Sequence, residues 1–276
     1  MAQISKHYTP KKHEQAQQRN LRGWFLRHRY SESYFNTTKQ LYEKQSAAKD
    51  AFVRQLAHDI KNPMNAILGF SVLLSEDYDE LSEPERRKSA GAIHKSAQNL
   101  VKFIDETLMW SRLRQGAIKV SLGAVDVSEI AKEACEIHAL VADKKGVKLN
   151  NLVPSGKIVL ADRGMLQQII MNLVSNSIKF CNSGGNVSID ATISEGTQTA
   201  IIVFDDGIGI SQENIVKMMD PDVAFTQPGT ANEKGTGLGI KTIIEMVKMQ
   251  NGILQIFSEG ENRGTKVHFT LPSAQG

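Results

Sequence analysis

The sequence predicts an α+β protein in which an antiparallel helical hairpin precedes a layered domain of helices and strands. Two observations carry this prediction. Between residues 46 and 116 apolar residues recur at helical spacing, and after residue 119 helix-like segments alternate with short β-rich runs. Such alternation is typical of helices that cover one face of an antiparallel or mixed sheet. We therefore divide the chain into an N-terminal segment 1–45, a hairpin domain 46–118 and a layered domain 119–276.

The composition is that of a globular protein without a strong charge bias. The 276 residues suffice for two cores, with 41% hydrophobic and 23% charged residues. The net charge of +3 is too small to indicate a nucleic-acid or membrane partner. Cys135 and Cys181 match no metal or redox spacing, and neither a run of about 18 apolar residues nor a signal-peptide core is present. We expect reduced thiols, no nucleic-acid partner, no transmembrane segment in this chain and a cytoplasmic location.

The N-terminal segment 1–45 is basic, with nine Lys or Arg residues against three acidic residues. Such a segment is most often a solvated lead-in rather than a binding arm. Tyr34, Leu41 and Ala48 recur every seven residues, which predicts a helix that leads into the hairpin.

The hairpin consists of two amphipathic helices separated by EDYDELSEPER. Ser82 and Glu85 form a predicted capping box, and Pro84 lies in the first turn of the second helix. Two such helices cannot cover each other's apolar stripes, so a second copy completes a homodimeric four-helix bundle. The predicted stripes are Phe52, Leu56, Ile60, Ile67, Phe70 and Leu74 on the first helix, and Ile93, Ala97, Leu100, Ile104 and Leu108 on the second.

The stretch QLAHDIKNPMNAILGF in the first helix carries polar residues of chemical interest. At roughly 100° per residue, His58 lies nearly opposite the apolar stripe and Asn62 shares its face. Pro63 removes the hydrogen bond to the carbonyl of Asp59, which predicts a bend within one turn of His58. A neutral imidazole is a competent nucleophile, and Asp59 could orient the ring or accept its proton. An exposed His-Asp pair alone is more often without function.

A polar stripe on a later helix is the first sign of a phosphate site. In DRGMLQQIIMNLVSNSIKF, Asn172, Asn176 and Lys179 share one face beside the apolar positions 166, 170 and 173. An Asn carbonyl oxygen suits Mg²⁺, and a Lys ammonium binds phosphate as a point charge. A solvated polar face is the alternative.

Two glycine-rich stretches follow. In IIVFDDGIGI, Asp205 could accept a hydrogen bond from an exocyclic amine, and Gly207 and Gly209 would let the backbone approach a flat ring; a tight turn is the alternative. In EKGTGLGIKTIIEMV, a glycine loop leads into a helix whose first N–H groups could receive phosphate. Alone, this loop is a weak signal, and its residues are Gly235, Thr236, Gly237, Leu238 and Gly239.

Together these motifs resemble a known family. The order NLVSNSIKF, DDGIG, GTGLG and GTKVHFTLP is similar to the nucleotide-binding boxes of the Bergerat-fold (GHKL-type) ATPases. With HDIKNP about 110 residues upstream, the chain resembles a two-component sensor histidine kinase over about residues 46 to 273. The implied fold is a dimeric four-helix bundle followed by an α/β-sandwich ATP-binding domain.

The resemblance also implies roles for individual residues. His58 matches the phosphoacceptor, Asp59 the adjacent acidic residue proposed as a base, and Asn62 the residue that helps to place water for dephosphorylating a partner. Asn176 matches the Mg²⁺ ligand and Asp205 the adenine-reading carboxylate. The remaining implied nucleotide contacts are Asn172, Lys179, Gly207, Gly209, Gly235, Thr236, Gly237, Leu238 and Gly239.

The chain departs from the family pattern at three places. Asp59 stands where Glu is commoner, and Ser177 replaces the usual Ala. The segment between DDGIG and GTGLG corresponds to the ATP lid of the family. It keeps Phe225 but lacks the usual Phe-x-Pro-Phe pattern, so the sequence does not predict the closed geometry of this lid.

The resemblance implies that ATP with Mg²⁺ phosphorylates His58, and that the phosphoryl group passes to an Asp of a separate response regulator. Dephosphorylation of that regulator is a further expectation. One alternative is a Bergerat-fold ATPase switch without kinase activity, which would not need an exposed His on a bundle. The other is a protein that acts mainly as a phosphatase or scaffold for the regulator.

Overall fold

The computed structural model describes residues 39, 53, 54, 56–193, 197–221, 223, 225–233 and 235–274. Its contacts divide the chain into the units Met1–Val53 and Arg54–Gly276. The predicted lead-in helix with Tyr34, Leu41 and Ala48, the segment 1–45 apart from Lys39, and Phe52 all lie outside the described residues. In the part of the chain that is described, no helix is long and apolar enough to cross a membrane.

The hairpin has the predicted form. Helix α1 covers 56–76 and helix α2 covers Glu83–Arg114, with a short turn between them. The predicted capping box is confirmed, because the Ser82 backbone N–H donates to Glu85 Oε2 at 2.8 Å and Pro84 lies in the first turn. Helix α1 continues through Pro63 without interruption. The bend expected beside Pro63 stays a prediction.

The apolar stripes of the hairpin are only partly covered. On α1 the predicted positions from 56 to 74 are half-buried. On α2 the upper positions Ile93, Ala97 and Leu100 are half-buried, but Ile104 and Leu108 remain 42% and 50% exposed. The lower half of α2 therefore presents an uncovered apolar stripe in the single chain.

In its described residues, the layered domain contains a five-stranded mixed sheet, four helices and a separate two-stranded ribbon. In the sheet the strand order is β2-β4-β5-β7-β6, with β2 parallel to β4 and the other neighbours antiparallel. In the ribbon β1 pairs antiparallel with β3. The bounds in chain order are β1 Gly123–Asp126, α3 Val127–Lys145, β2 Lys148–Asn151, β3 Ile158–Ala161, α4 Arg163–Phe180, β4 Asn186–Ile193, β5 Gln198–Asp205, α5 Gln212–Met219, α6 Gly239–Met249, β6 Leu254–Phe257 and β7 Thr265–Pro272.

The core of this domain lies between the sheet and the helices α3, α4 and α6. Burial alternates along β4, where Val187, Ile189 and Ala191 are buried and their neighbours are not, as expected for a sheet with one covered face. The prediction of helices layered on a mixed sheet is confirmed. Three short elements, β1, β2 and α5, were not expected from the sequence.

The layered domain packs on the hairpin. Helix α6 contacts α2, and Phe103 of α2 is only 5% exposed. Residues 54–118 of the predicted hairpin domain and the whole of the predicted layered domain belong to one compact unit, Arg54–Gly276.

Candidate functional site

His58 lies on the exposed side of α1, as the helical wheel predicts. Its side chain is 66% exposed, and its Nδ1 lies 3.3 Å from Asp59 Oδ1. The Asn62 amide nitrogen lies 3.3 Å from Nδ1 and 3.4 Å from Nε2. Since an atom almost equally distant from both ring nitrogens lies off the lone-pair direction of each, Asn62 leaves Nε2 open to a reaction partner. The three polar side chains therefore form one cluster at the surface of the hairpin.

Helix α4 presents its polar face to a cleft and its apolar face to the core. Asn172, Asn176 and Lys179 line this cleft. The opposite stripe is buried, with Leu166, Ile170 and Leu173 at most 2% exposed. The aspartate at the N-cap, Asp162, accepts from the backbone N–H of Met165 and fixes the start of the helix. Burial of the apolar face of α4 in the core thus leaves its polar face directed toward the cleft.

Asp205 ends strand β5 at the base of the cleft and is only 4% exposed. Burial raises the pKa of this carboxyl to about 6, although three donors oppose the rise: the Ser177 hydroxyl at 2.9 Å, the Gly207 N–H at 3.1 Å and the Thr265 N–H. The carboxylate is held in place from several sides. It is a fixed acceptor at the base of the cleft.

Gly207 has a packing reason to be glycine. A Cβ at this position would lie 2.4 Å from the backbone oxygen of Phe180, so a side chain would force β5 and α4 apart. Gly207 does not line the cleft, whereas Gly209 does. The close approach that the sequence predicts at Gly207 is therefore to the protein's own backbone.

The glycine loop before α6 forms the opposite rim of the cleft. Gly235, Thr236, Gly237 and Gly239 line it. Gly237 has φ 71°, and a Cβ there would lie 2.7 Å from the carbonyl oxygen of Phe225. Leu238 is instead buried at 2% exposure and precedes α6, so it anchors the loop rather than lining the cleft.

The cleft is one cavity of about 400 Å³ bounded by both parts of the unit. On the hairpin side it is lined by Asp59 and Asn62 of α1 and by Lys102 and Glu106 of α2. His58 does not line it, although the residue beside it and the residue one turn later do. Apart from His58, Gly207 and Leu238, the predicted site residues therefore line a single cavity, and His58 lies next to two of them in sequence or along the helix.

Lys102 and Lys179 line the cavity, and Lys145 contacts the Lys179 backbone and Glu233. Lys179 Nζ donates to the Gln227 carbonyl at 3.3 Å, and Lys145 Nζ donates to Glu233 Oε1 and to the Lys179 carbonyl, both at 2.7 Å. Burial, followed by the charges of Lys102 and Lys145, lowers the pKa of Lys179, and Glu233 partly offsets this. Lys102 and Lys179 thus bring two ammonium groups to the cavity lining, where they suit phosphate.

Three residues at this site were not recognised from the sequence. Lys102 and Glu106 line the cavity from α2, and Glu106 accepts a hydrogen bond from the Thr236 hydroxyl. Ser177 donates to Asp205, so the residue in place of the usual Ala holds the buried carboxylate. A Ser within an otherwise apolar stripe was a usable signal, whereas no local pattern marks Lys102 or Glu106.

Comparison with protein families identifies two domains. Residues 48–116 match the His Kinase A (phospho-acceptor) domain. Residues 161–275 match the histidine kinase-, DNA gyrase B- and HSP90-like ATPase domain. The layered domain is therefore of an ATP-binding type, and the phospho-acceptor match separates the chain from gyrase-like and HSP90-like ATPase switches.

Similar curated proteins include sensor kinases. An uncharacterized sensor-like histidine kinase of Rhizobium meliloti is 34% identical over 84% of this chain and 44% of its own length. Histidine protein kinase DivJ of Caulobacter vibrioides is 32% identical over 83% of this chain and 38% of its own length. The chain thus spans less than half the length of these relatives.

Solved structures share the fold. The structure of full-length ShkA in complex with AMPPNP is 26% identical, with a TM-score of 0.59 over 81% of this chain and 46% of that chain. The Acinetobacter baumannii histidine kinase AdeS, at 13% identity, has a TM-score of 0.61 over 79% of this chain and 98% of its own, and it supports the fold alone. A phospho-acceptor hairpin joined to a kinase-type ATPase domain places this chain among the two-component sensor histidine kinases.

Proposed function

We propose that the protein transfers the γ-phosphoryl group of ATP to His58 and then to an aspartate of a separate response regulator. One observation carries this proposal: a cavity of about 400 Å³ with a cationic, glycine-rich end is also lined by Asp59 and Asn62, which flank His58. ATP bound in this cavity would therefore lie next to the His58 imidazole.

The nucleophile follows from the contacts of the His58 ring. A proton on Nδ1 can be donated to Asp59 Oδ1 across 3.3 Å, and this tautomer leaves the Nε2 lone pair free. As Nε2 attacks phosphorus and the bond to the ADP oxygen breaks, positive charge develops on the ring, and the Asp59 carboxylate accepts the Nδ1 proton. The exposed position lets the same nitrogen meet a second protein afterwards.

Nucleotide binding is assigned to the opposite wall. Asp205 is the only carboxylate of β5 that lines the cavity, and its fixed oxygens suit the exocyclic amine of adenine. The loop Gly235–Gly239 and the polar face of α4 then receive the phosphates, with Asn172 as a donor and Lys179 as a charge. Phosphoryl transfer depends mainly on such positioning and charge stabilisation.

Mg²⁺ fits the donor set of this wall. Among the described residues, no group of three His, Cys, Asp or Glu side chains could hold a metal by itself. Asn176 lines the cavity, and Mg²⁺ commonly combines one or two protein oxygens with phosphate oxygens and water. We assign Asn176 as the protein ligand, and the ion would neutralise charge on the phosphates.

The partners follow from the hairpin. The exposed apolar stripe of α2 supports a homodimeric four-helix bundle with the proposed hairpin boundaries 46–118, ahead of a catalytic domain 119–276. The structure of histidine kinase ThkA was determined in complex with the response regulator TrrA, which supports a regulator as the second partner here. A supply of ATP for the reaction supports a cytoplasmic location.

Autophosphorylation tests this proposal. Wild-type protein incubated with γ-labelled ATP and Mg²⁺ is expected to gain phosphate that is labile in acid and stable in alkali. His58→Gln is expected to lose this label, whereas His94→Gln, which alters an exposed His of α2, keeps it. Phosphate on the His58→Gln variant with the same chemical stability would refute the assignment. Transfer to the receiver domains of the same genome, each assayed separately, then identifies the regulator.

Metal dependence is tested by binding rather than by activity. A fluorescent ATP analogue should bind the wild type more tightly with Mg²⁺ than with EDTA, and Asn176→Ala should remove most of that difference. Equal metal dependence in the variant would contradict the assigned ligand.

A second candidate activity is dephosphorylation of the regulator. The contact of the Asn62 amide with the His58 ring places an amide where a regulator aspartyl phosphate would approach. Asn62→Ala is expected to retain most labelling of His58 while slowing phosphate loss from the regulator. His58→Gln provides the matched comparison, because it removes phosphotransfer but keeps Asn62.

A further inference from the structure

The cavity is enclosed by helices of a single chain. Its hairpin wall comes from two turns of α1 and three turns of α2, and the other wall comes from α4, β5 and the glycine loop of the same unit. The lining residues on the hairpin are Asp59, Asn62, Pro63 and Ala66 of α1, and Ser96, Asn99, Lys102, Phe103 and Glu106 of α2.

Direct contacts hold these walls together. Phe103 of α2 lines the cavity and is 95% buried, and α2 also packs against α6. One turn further on, Glu106 accepts the Thr236 hydroxyl of the glycine loop. The loop that would carry the phosphates is thereby tied to the hairpin that carries His58.

The exposed apolar residues of the hairpin lie on the side of each helix that faces away from the cavity. On α1, Met64, Leu68 and Val72 are 45–57% exposed, and none lines the cavity. At 100° per residue their mean direction differs by about 170° from that of the cavity-lining residues of α1. On α2, Val101, Ile104 and Leu108 are 42–60% exposed, and their mean direction is likewise about 170° from the cavity-lining residues.

This separation restricts where a second subunit can pack. In a four-helix bundle the partner's helices cover the exposed apolar residues of each hairpin. Removing this apolar surface from water is what favours association of the two hairpins. These six exposed apolar residues face away from the cavity on both helices. The partner's phosphoacceptor therefore lies across the bundle, and the phosphoacceptor beside the cavity belongs to the same chain as the ATP site.

We propose that each subunit phosphorylates its own His58 with the ATP bound to its own layered domain. This inference rests on the proposed kinase activity and specifies its substrate. In the step itself, the bond from the γ-phosphorus to the ADP oxygen breaks and a bond to Nε2 forms. The Nδ1 proton passes to Asp59, and ADP leaves. Only a shift of the layered domain along its own hairpin is required to bring the phosphate end to His58.

Heterodimers with separated defects test this inference. Two differently tagged chains are co-expressed, and dimers carrying both tags are isolated by sequential affinity steps. In the first heterodimer one chain carries His58→Gln and the other Asn176→Ala, so each chain lacks one half of the reaction. In the second heterodimer one chain is wild type and the other carries both substitutions. Label from γ-labelled ATP is assigned to each chain by its size.

The two heterodimers have opposite expected results. Phosphorylation within a chain predicts at least a tenfold loss of label in the first heterodimer, and about half of the wild-type dimer's label in the second, since one of two equivalent sites is intact. Label on the Asn176→Ala chain of the first heterodimer, with none in the second, would overturn the inference. The wild-type homodimer separates this outcome from failure of the proposed kinase activity, because it must be labelled on His58 under either arrangement.

Discussion

The Thr236 hydroxyl in the glycine loop donates a hydrogen bond to the Glu106 carboxylate of α2. The two residues are 130 positions apart in sequence. Glu106 is 18% exposed and has Lys102 Nζ at 3.8 Å, so a negative charge lies at the end of the cavity assigned to phosphates. The contact links the two proposed domains, and its charge opposes a polyanionic ligand at the same place.

Removing this charge should strengthen nucleotide binding. Glu106→Gln keeps the shape of the side chain and a hydrogen-bond acceptor, but it removes repulsion of the phosphates and frees Lys102. We expect the affinity for ATP to rise about tenfold, which corresponds to about 1.4 kcal/mol. Isothermal titration with a non-hydrolysable ATP analogue measures the change.

Asp105→Asn is the matched control for charge. It removes the same charge from the neighbouring exposed position of α2, which does not line the cavity. Its affinity should stay within twofold of the wild type. Unchanged or weaker binding by Glu106→Gln would contradict the role assigned to this carboxylate.

Nucleotide binding should depend on the ionisation of Asp205. Because burial raises the pKa of its carboxyl to about 6, the acceptor loses its charge as pH falls through about 6, at a higher pH than for an ordinary Asp near 4. Ser177→Ala removes a donor to the carboxylate and should raise the pKa further. The pH midpoint for nucleotide binding should therefore lie higher in the variant than in the wild type.

Nucleotide phosphates also titrate in this range, so the comparison between the two proteins carries the test. Asp205→Asn supplies a second check, because it should weaken binding by about 10- to 100-fold at pH 8, as expected for loss of a hydrogen bond to a charged group. Identical pH profiles for wild type and Ser177→Ala would show that the hydroxyl does not support the carboxylate.

The ion pair between Lys145 and Glu233 should stabilise the domain. The Lys145 side chain is 14% exposed. Burial of the Glu233 carboxyl acts to raise its pKa, but the hydrogen bond and charge of the Lys145 ammonium outweigh this, so the pKa of Glu233 is lowered overall. A lowered folded-state pKa adds stability above the unfolded value near 4.3, and this stability is lost as pH falls below it. Glu233→Gln should reduce the free energy of unfolding by about 1 kcal/mol at pH 7 and by less at pH 3.5.

The exposed pair Lys217 and Glu213 on α5 is the control, since its atoms are also 2.7 Å apart. Glu213→Gln should leave the free energy of unfolding nearly unchanged, because this pair is exposed to solvent and screened by it. Equal effects of the two substitutions in denaturant titrations would contradict the importance of burial at Lys145.

Gly207 should tolerate no side chain. Because a Cβ would meet the Phe180 backbone at 2.4 Å, Gly207→Ala should cost about 1–3 kcal/mol in the free energy of unfolding. Gly91→Ala on α2 has open space around the added carbon and should instead stabilise by about 0.5–1 kcal/mol. Thermal unfolding of both variants checks the contrast, and equal melting temperatures would contradict it.

Helical and strand periodicity was sufficient to predict most of this fold. The strands β3, β4, β5 and β7 are rich in β-branched residues, β6 alternates buried apolar residues with exposed ones, and α2 carries its own capping box, so each has a local cause. Strand β2, with the sequence KLNN, has no apolar alternation and exists because it pairs in parallel with β4. Helix α5 has eight residues and lies in a segment that was expected only to form part of a lid.

The site residues also fall into two groups, those that a local motif marks and those that only the packing of distant elements brings to the cavity. Asn172, Asn176 and Asp205 stand in motifs whose chemistry is visible locally, and all three line the cavity. Glu106 and Lys102 could not be found from the sequence, because their role depends on packing between elements more than 100 residues apart. Leu238 and Gly207 belong to the right motifs but serve packing, since a motif does not distinguish residues that face a ligand from those that hold the loop.

The central claim is that Nε2 of His58 accepts the phosphoryl group from ATP. The most direct measurement is phosphopeptide mapping of the wild-type protein after a single turnover with ATP and Mg²⁺, followed by phosphorus NMR to identify the modified nitrogen. We expect one phosphoryl group on the peptide containing His58, bonded to Nε2. Phosphate on Nδ1 of His58, or on any other residue, would contradict it.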